Sequence, residues 1–157
     1  MSGIYVVSFE QVAVTAVQDL LAVSSASGKQ CVLLALHLSQ TNRGTDAQEE
    51  VLGLRVRSGQ TVSGTGGSAP TPTPNDPVGA SASSFTARAN DATTIANTGT
   101  IVRHYTWNWN IRGPFDIILP EGMQILFGNT RKLTFELFEA PSVSMTMSGS
   151  VVVQEIG

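Results

Sequence analysis

Apolar and polar residues alternate one for one along several stretches of this sequence, and that period excludes most folds. Successive side chains of an extended strand point to opposite faces, so strict alternation marks a strand with one face turned to a core. Leu52, Leu54 and Val56 alternate with Gly53, Arg55 and Arg57, and Trp107, Trp109 and Ile111 with Thr106, Asn108 and Asn110. Leu133, Phe135 and Leu137 alternate with Thr134, Glu136 and Phe138. Met145, Met147, Val151 and Val153 oppose Ser144, Thr146, Ser148 and Ser150. In the fifth stretch Val32, Leu34, Leu36 and Leu38 face one way and Leu33, Ala35, His37 and Ser39 the other, which predicts a strand covered on both sides at one end. Residues 4–9, 115–119 and 124–127 read as shorter strands.

Turn signals separate these runs: Ser27-Gly28, Asn42-Arg43-Gly44, Arg112-Gly113-Pro114, Pro120-Glu121-Gly122, Gly128-Asn129 and Ala140-Pro141. About eight short strands with regular turns predict an all-β chain, a single-domain jelly-roll-like antiparallel β-sandwich over residues 1–157. Residues 11–23 fit a helical period as well, through Ala13, Val17, Leu20 and Leu21, but the β-branched Val12, Val14, Thr15 and Val17 favour strand. A single helical turn is expected over 45–51, with Thr45 or Asp46 as cap and Glu49 and Glu50 after it. With 157 residues, 41% of them hydrophobic, one core is affordable and two are not.

Across 58–99 the alternation stops. The text becomes Gly64-Thr65-Gly66-Gly67-Ser68-Ala69-Pro70-Thr71-Pro72-Thr73-Pro74, then a Ser, Ala and Thr-rich tract. A Gly/Ser/Pro-rich loop of this length inside a compact domain is expected to be disordered or ordered by another chain. Its near lack of charge favours ordering by docking.

Electrostatics excludes several partners. The net charge is −3, charged residues make up 13%, and the lysines are Lys29 and Lys132 alone, so no basic surface for nucleic acid is expected. Cys31 is the sole cysteine, which rules out an intrachain disulfide and a cysteine-based zinc site. No run approaches the length of a membrane span, and the opening Met1-Ser2-Gly3-Ile4-Tyr5 does not resemble a secretory signal, so synthesis in the cytoplasm and function without secretion are expected.

Candidate chemistry is thin, and no enzyme, catalytic residue, cofactor or metal site is expected. His37 and His104 read as hydrogen-bonded strand histidines, and Cys31, beside Val32, Leu33 and Leu34 and with only Lys29 near, as a small buried side chain. The glycines at 64–67 lack the helix that a phosphate loop needs and read as a flexible entry to the long loop. Carboxylate pairs at Glu49 and Glu50 or Glu136 and Glu139 read as solvated, since sequence spacing does not place two carboxyls about a substrate. Asn75, Asp76, Asn90 and Asp91 offer oxygen ligands for calcium without a ligand spacing. Trp107 and Trp109 read as core or subunit-interface residues on one strand face, with sugar or base stacking by Tyr105, Trp107 and Trp109 as the alternative, and Asn108 and Asn110 as outward or inter-subunit hydrogen-bonders.

Taken end to end, the chain resembles tailed-bacteriophage virion proteins with a jelly-roll-like β-sandwich, some of which serve as capsid decoration (cement) proteins. The likeness is carried by Tyr5-Val6-Val7-Ser8-Phe9-Glu10, Ala16-Val17-Gln18-Asp19-Leu20, His37-Leu38-Ser39-Gln40 and Leu52-Gly53-Leu54-Arg55-Val56-Arg57-Ser58-Gly59. It continues through Gly64 to Pro72, Thr86-Ala87-Arg88-Ala89-Asn90-Asp91, Met147-Ser148-Gly149 and Gln154-Glu155-Ile156-Gly157. The resemblance implies a virion component on the outer capsid surface, a homotrimer seated on the major capsid protein that stiffens the shell. A carbohydrate- or receptor-binding module of a phage tail or fibre is the main rival. A cupin-like metal enzyme ranks third, with two isolated histidines against it.

Overall fold

A computed structural model describes residues 3–41, 50–79 and 81–157. Its strands are β1 (Gly3–Val14), β2 (Gln18–Ser24), β3 (Gln30–Gln40), β4 (Val51–Gln60), β5 (Thr73–Pro74), β6 (Thr86–Asp91), β7 (Gly99–Asn110), β8 (Phe115–Ile118), β9 (Ile125–Gly128), β10 (Lys132–Leu137) and β11 (Met145–Ile156). They form two antiparallel sheets. The first runs β5-β1-β11-β3-β8, with β9 also on β3, and the second runs β6-β2-β10-β4-β7. Strands β8 and β9 pair with successive halves of β3 and share one strand position. Without the short β5 and β6, each sheet has four positions. The strand orders 1-11-3-8/9 and 2-10-4-7 are those of a jelly roll.

The alternating residues build the core between the sheets. Val7, Leu33, Leu36, Leu38, Met145, Met147, Val151 and Val153 come from the first sheet, and Leu21, Val23, Leu52, Leu54, Val56, Leu133, Phe135 and Leu137 from the second. Phe115 and Phe135 stack across the gap with ring centroids 5.9 Å apart.

Strand β3 departs from the expected pattern. Val152 faces Ala35 but Val153 faces Leu33, so Leu34 is an extra residue and the side-chain phase inverts there. Cys31 and Leu33 point inward before the bulge, and Leu36 and Leu38 after it. Val32 and Leu34 therefore do not share a face with Leu36 and Leu38. The Leu34 carbonyl accepts the Leu119 amide at 2.8 Å where β8 gives way to β9. Residues 11–23 are strand, as the β-branched content favours, apart from a break over 15–17 and a bulge at Gln11 with φ of 53°. The turn expected over 45–51 falls outside the described residues up to 49, and Val51 opens β4.

The stretch 58–99 carries structure of its own. Residues up to Gln60 extend β4, β5 pairs with β1, and β6 pairs with β2 at five positions. Isolated bridges join Thr65 to Thr94 and Ser68 to Ala89. The insertion lengthens one edge of each sheet and folds over the outside of the second. Docking onto its own chain supplies the order expected from a partner. Glycines 64 to 67 form a close contact and not a flexible entry: a Cβ on Gly67 would lie 1.9 Å from the Ala89 carbonyl oxygen, and Gly66 has φ of +98°.

Candidate interaction surface

Sequence-selected residues do not converge on one site. His37 lies on the first sheet and His104 on the second. His37 Nδ1 meets Asp116 Oδ1 at 2.8 Å, and His104 Nε2 meets Ser58 Oγ at 2.7 Å, where burial lowers its pKa. Cys31 is fully buried, and burial, with the Glu155 charge adding, pushes its thiol up to about 12, so it is an inert core residue at neutral pH. Glu139 accepts the Gly53 amide and Glu50 accepts Ser142, while Glu49 lies outside the described residues. The loop oxygens are dispersed. Asp91 is held by Arg88 and the Gly67 amide, and Asn90 accepts Gln18 Nε2 at 2.7 Å. Asp76 receives its own Val78 amide.

The aromatics on β7 belong to the core side. Trp109 is 3% exposed and donates its indole N–H to the Gly113 carbonyl at 2.7 Å, while Trp107 packs edge-on against Phe115 with centroids 5.2 Å apart. Tyr105 donates to the Met123 carbonyl at 2.8 Å. Trp109 is thus closed to a stacking sugar, and Trp107, half-buried, also tilts against Tyr105 with centroids 5.7 Å apart. Thr106, Asn108 and Asn110 face outward.

The first sheet presents an apolar outer face that sequence reading missed. Registers align Ile4, Gln154, Val32 and Leu126 in one row across β1, β11, β3 and β9. The next row is Val6, Val152, Ala35 and Ile118. The exposed apolar side chains lie toward its edges, Ile118 at 78%, Leu126 at 55% and Ile4 at 39%, while Val32 and Ala35 on the central β3 are buried. With strands about 4.8 Å apart and side chains on one face about 7 Å apart along a strand, the two rows cover on the order of 300 Å². Beyond them lies a polar row of Ser8, Ser150, His37 and Asp116, in a depression of about 340 Å³ that also takes in Glu10 and Ser39. The signal for the apolar rows was present in the two-sided apolar run of β3. Only the register of four sequence-distant strands aligns it with Ile4 and Ile118.

The outer face of the second sheet is covered instead. One row there is Asp91, Asp19, Glu136 and Arg55 across β6, β2, β10 and β4; the next is Arg88, Ala22, Thr134 and Arg57. Glu136 is 1% exposed and takes Arg55 in a two-pronged pair, at 2.7 and 3.0 Å, and Arg57 at 2.8 Å. The insertion closes this layer from above: Arg57 also donates to the Ala96 carbonyl and to Asn97 Oδ1, and Ala96 N–H donates to Asp19. Glu136, read as solvated, is therefore a buried ion. Opposite charges on the polar faces of two alternating strands were its sequence signal.

No family model matches the chain, and no curated protein does. Among solved structures, it is similar to that of infectious bursal disease virus Gx strain, at 13% identity over 98% of this chain and 32% of that one, with a TM-score of 0.29. A mutant VP2 protein of the same virus in derived T=1 particles matches at 12% identity, 98% and 31% coverage and a TM-score of 0.24. This chain spans about a third of the length of those structures. Superposition that loose carries no argument about function.

Proposed function

We propose that the chain is a non-enzymatic structural virion protein, a decoration or cement protein that binds the outer surface of a tailed-phage capsid as a homotrimer and stabilises the shell. The jelly roll serves capsid proteins, lectins and cupins alike, so fold alone does not choose among them. The apolar outer face of the first sheet carries the reading. A stable two-chain interface needs about 800 Å² per partner, well above the area of this face. A contact of roughly 300 Å² suits a protein bound in many copies to a repeating lattice, where avidity multiplies a weak affinity. Uncharged Ile4, Val6, Val152, Leu126 and Ile118 limit the desolvation cost of that contact. Strand β1 contributes Ile4 and Val6 to this face, while the insertion is engaged with its own sheet.

Co-sedimentation of the purified protein with undecorated capsids tests the assignment. Ile118→Asp with Leu126→Asp is expected to lower capsid occupancy at least about tenfold while the melting temperature stays within a few degrees. Full occupancy by the folded double variant would refute it.

The rival reading, a glycan- or receptor-binding module of a tail or fibre, draws on the depression around Ser8, Ser39, Ser150, Glu10 and His37. Hydroxyls and two carboxylates, Glu10 and Asp116, in one hollow suit a polyhydroxylated ligand. Virion location separates the two: signal at tail or fibre tips alone favours the rival.

A further inference from the structure

Ala96, 1% exposed, is gripped through both of its backbone groups. Its N–H donates to Asp19 Oδ2 at 2.7 Å, and its carbonyl accepts Arg57 Nη2 at 3.0 Å. Asp19 stands in the middle of a carboxylate row, with Asp91 of β6 on one side and Glu136 of β10 on the other. Its two neighbours are compensated, Asp91 by Arg88 and Glu136 by Arg55 and Arg57. Asp19 has no ion pair of its own among the described residues, and its Oδ1 has no hydrogen-bond partner there. Backbone presses on it from above: a Cβ on Gly64 would lie 3.0 Å from Asp19 Oδ2 and 2.8 Å from Asp91 Cβ.

We propose that residues 61–98 form a proton-latched strap: 92–98 lies closed over Asp19 while the carboxyl is neutral, and loss of its proton, which leaves a third carboxylate charge buried under the lid, loosens that segment. A carboxylate between two others, under a backbone lid, is relieved of its desolvation cost only when the lid lifts. Burial pushes Asp19 up to about 7; the Ala96 hydrogen bond opposes the rise, Glu136 adds to it, Arg57 opposes it and Asp91 adds to it. Lys132, farther along β10, is turned to Ser24. The folded-state pKa lies above the unfolded value of 3.8, so the latch is complete at low pH and is lost as pH rises through about 7. Loosening is confined to 92–98 and the facing 61–67. The rest of the strap keeps separate anchors in the β6–β2 pairing, the Tyr5 hydroxyl on the Ser81 carbonyl at 3.0 Å, and the Ser84 amide on Glu155 at 2.9 Å.

Hydrogen exchange of the full-length protein, corrected for intrinsic rates, tests the latch at about pH 5.5 and about pH 8.5. Protection over 92–98 is expected to fall about tenfold or more at the higher pH in the wild type and to stay constant in Asp19→Asn. Equal protection at both pH values in the wild type, or the same fall in D19N, would overturn the proposal. Should D19N fail to fold, the wild-type Asp19 carboxyl carbon is titrated by NMR. A midpoint near 7 that moves the Ala96 amide supports the latch, and one near 4 rejects it.

Discussion

Glu136 shows how far a side chain's role depends on what covers it. Between Phe135 and Leu137 it reads as the outward residue of a half-buried strand, yet it is 1% exposed and carries two guanidiniums. Removing one partner of a buried pair leaves the other charge stranded, at about 3–5 kcal/mol. Glu136→Ala is expected to lower unfolding stability by that amount in urea titration, whereas a change below about 1 kcal/mol would mark the pair as solvated. Asp19 acts in the opposite sense. Its pKa rises from 3.8 unfolded to about 7 folded, so its stabilising contribution is full below pH 3.8 and falls away as pH climbs through about 7. The shift corresponds to roughly 4 kcal/mol. The urea midpoint of D19N should therefore vary less between about pH 4 and pH 8 than that of the wild type, and parallel profiles would contradict the assignment.

At the scale of elements, irregularities decide which face a residue takes. The bulge at Leu34 inverts β3 and so places Val32 and Ala35 on the outer apolar rows while Leu33 and Leu36 enter the core. Nothing in the run Cys31 to Leu38 marks the site, because nearly every residue there is apolar and either phase buries well. Gly59 marks another irregularity, where the pairing of β4 with β7 shifts. It has φ of +95°, and a Cβ there would lie 2.0 Å from the Thr100 carbonyl oxygen. Gly59→Ala is expected to cost about 1–3 kcal/mol, read by thermal denaturation, with the loss of amide protection confined to β4 and β7. An unchanged melting temperature would show that the two strands part there without cost.

Over the whole molecule, the two sheets have one shared interior and two unlike exteriors. Phe135, fully buried at the centre, stacks on Phe115. Phe135→Ala should cost about 3–5 kcal/mol at an unchanged denaturant slope. Ile118→Asp, on the open exterior, should change stability by less than about 0.5 kcal/mol. A large loss of stability on changing Ile118 would mean that the outer face is packed within the chain and is not free to bind a shell.

The sequence by itself determined the fold class. Period-two alternation in β4, β7, β10 and β11, with glycine and proline turns between, leaves an antiparallel sandwich as the economical way to bury one face of each strand. It also determined the core side of β7, since Trp107 and Trp109 share the parity that packs inward. The insertion was not legible, because its order comes from backbone contacts such as Ser68 with Ala89 and Ala96 with Asp19, made by residues with no periodic signature. The apolar face and the buried charges share that reason. Each is a row across four strands far apart in the chain, and a row exists only once register has aligned them. Alternation dictates that a residue points away from the core; only the tertiary structure decides whether it then meets solvent, a guanidinium or a strap.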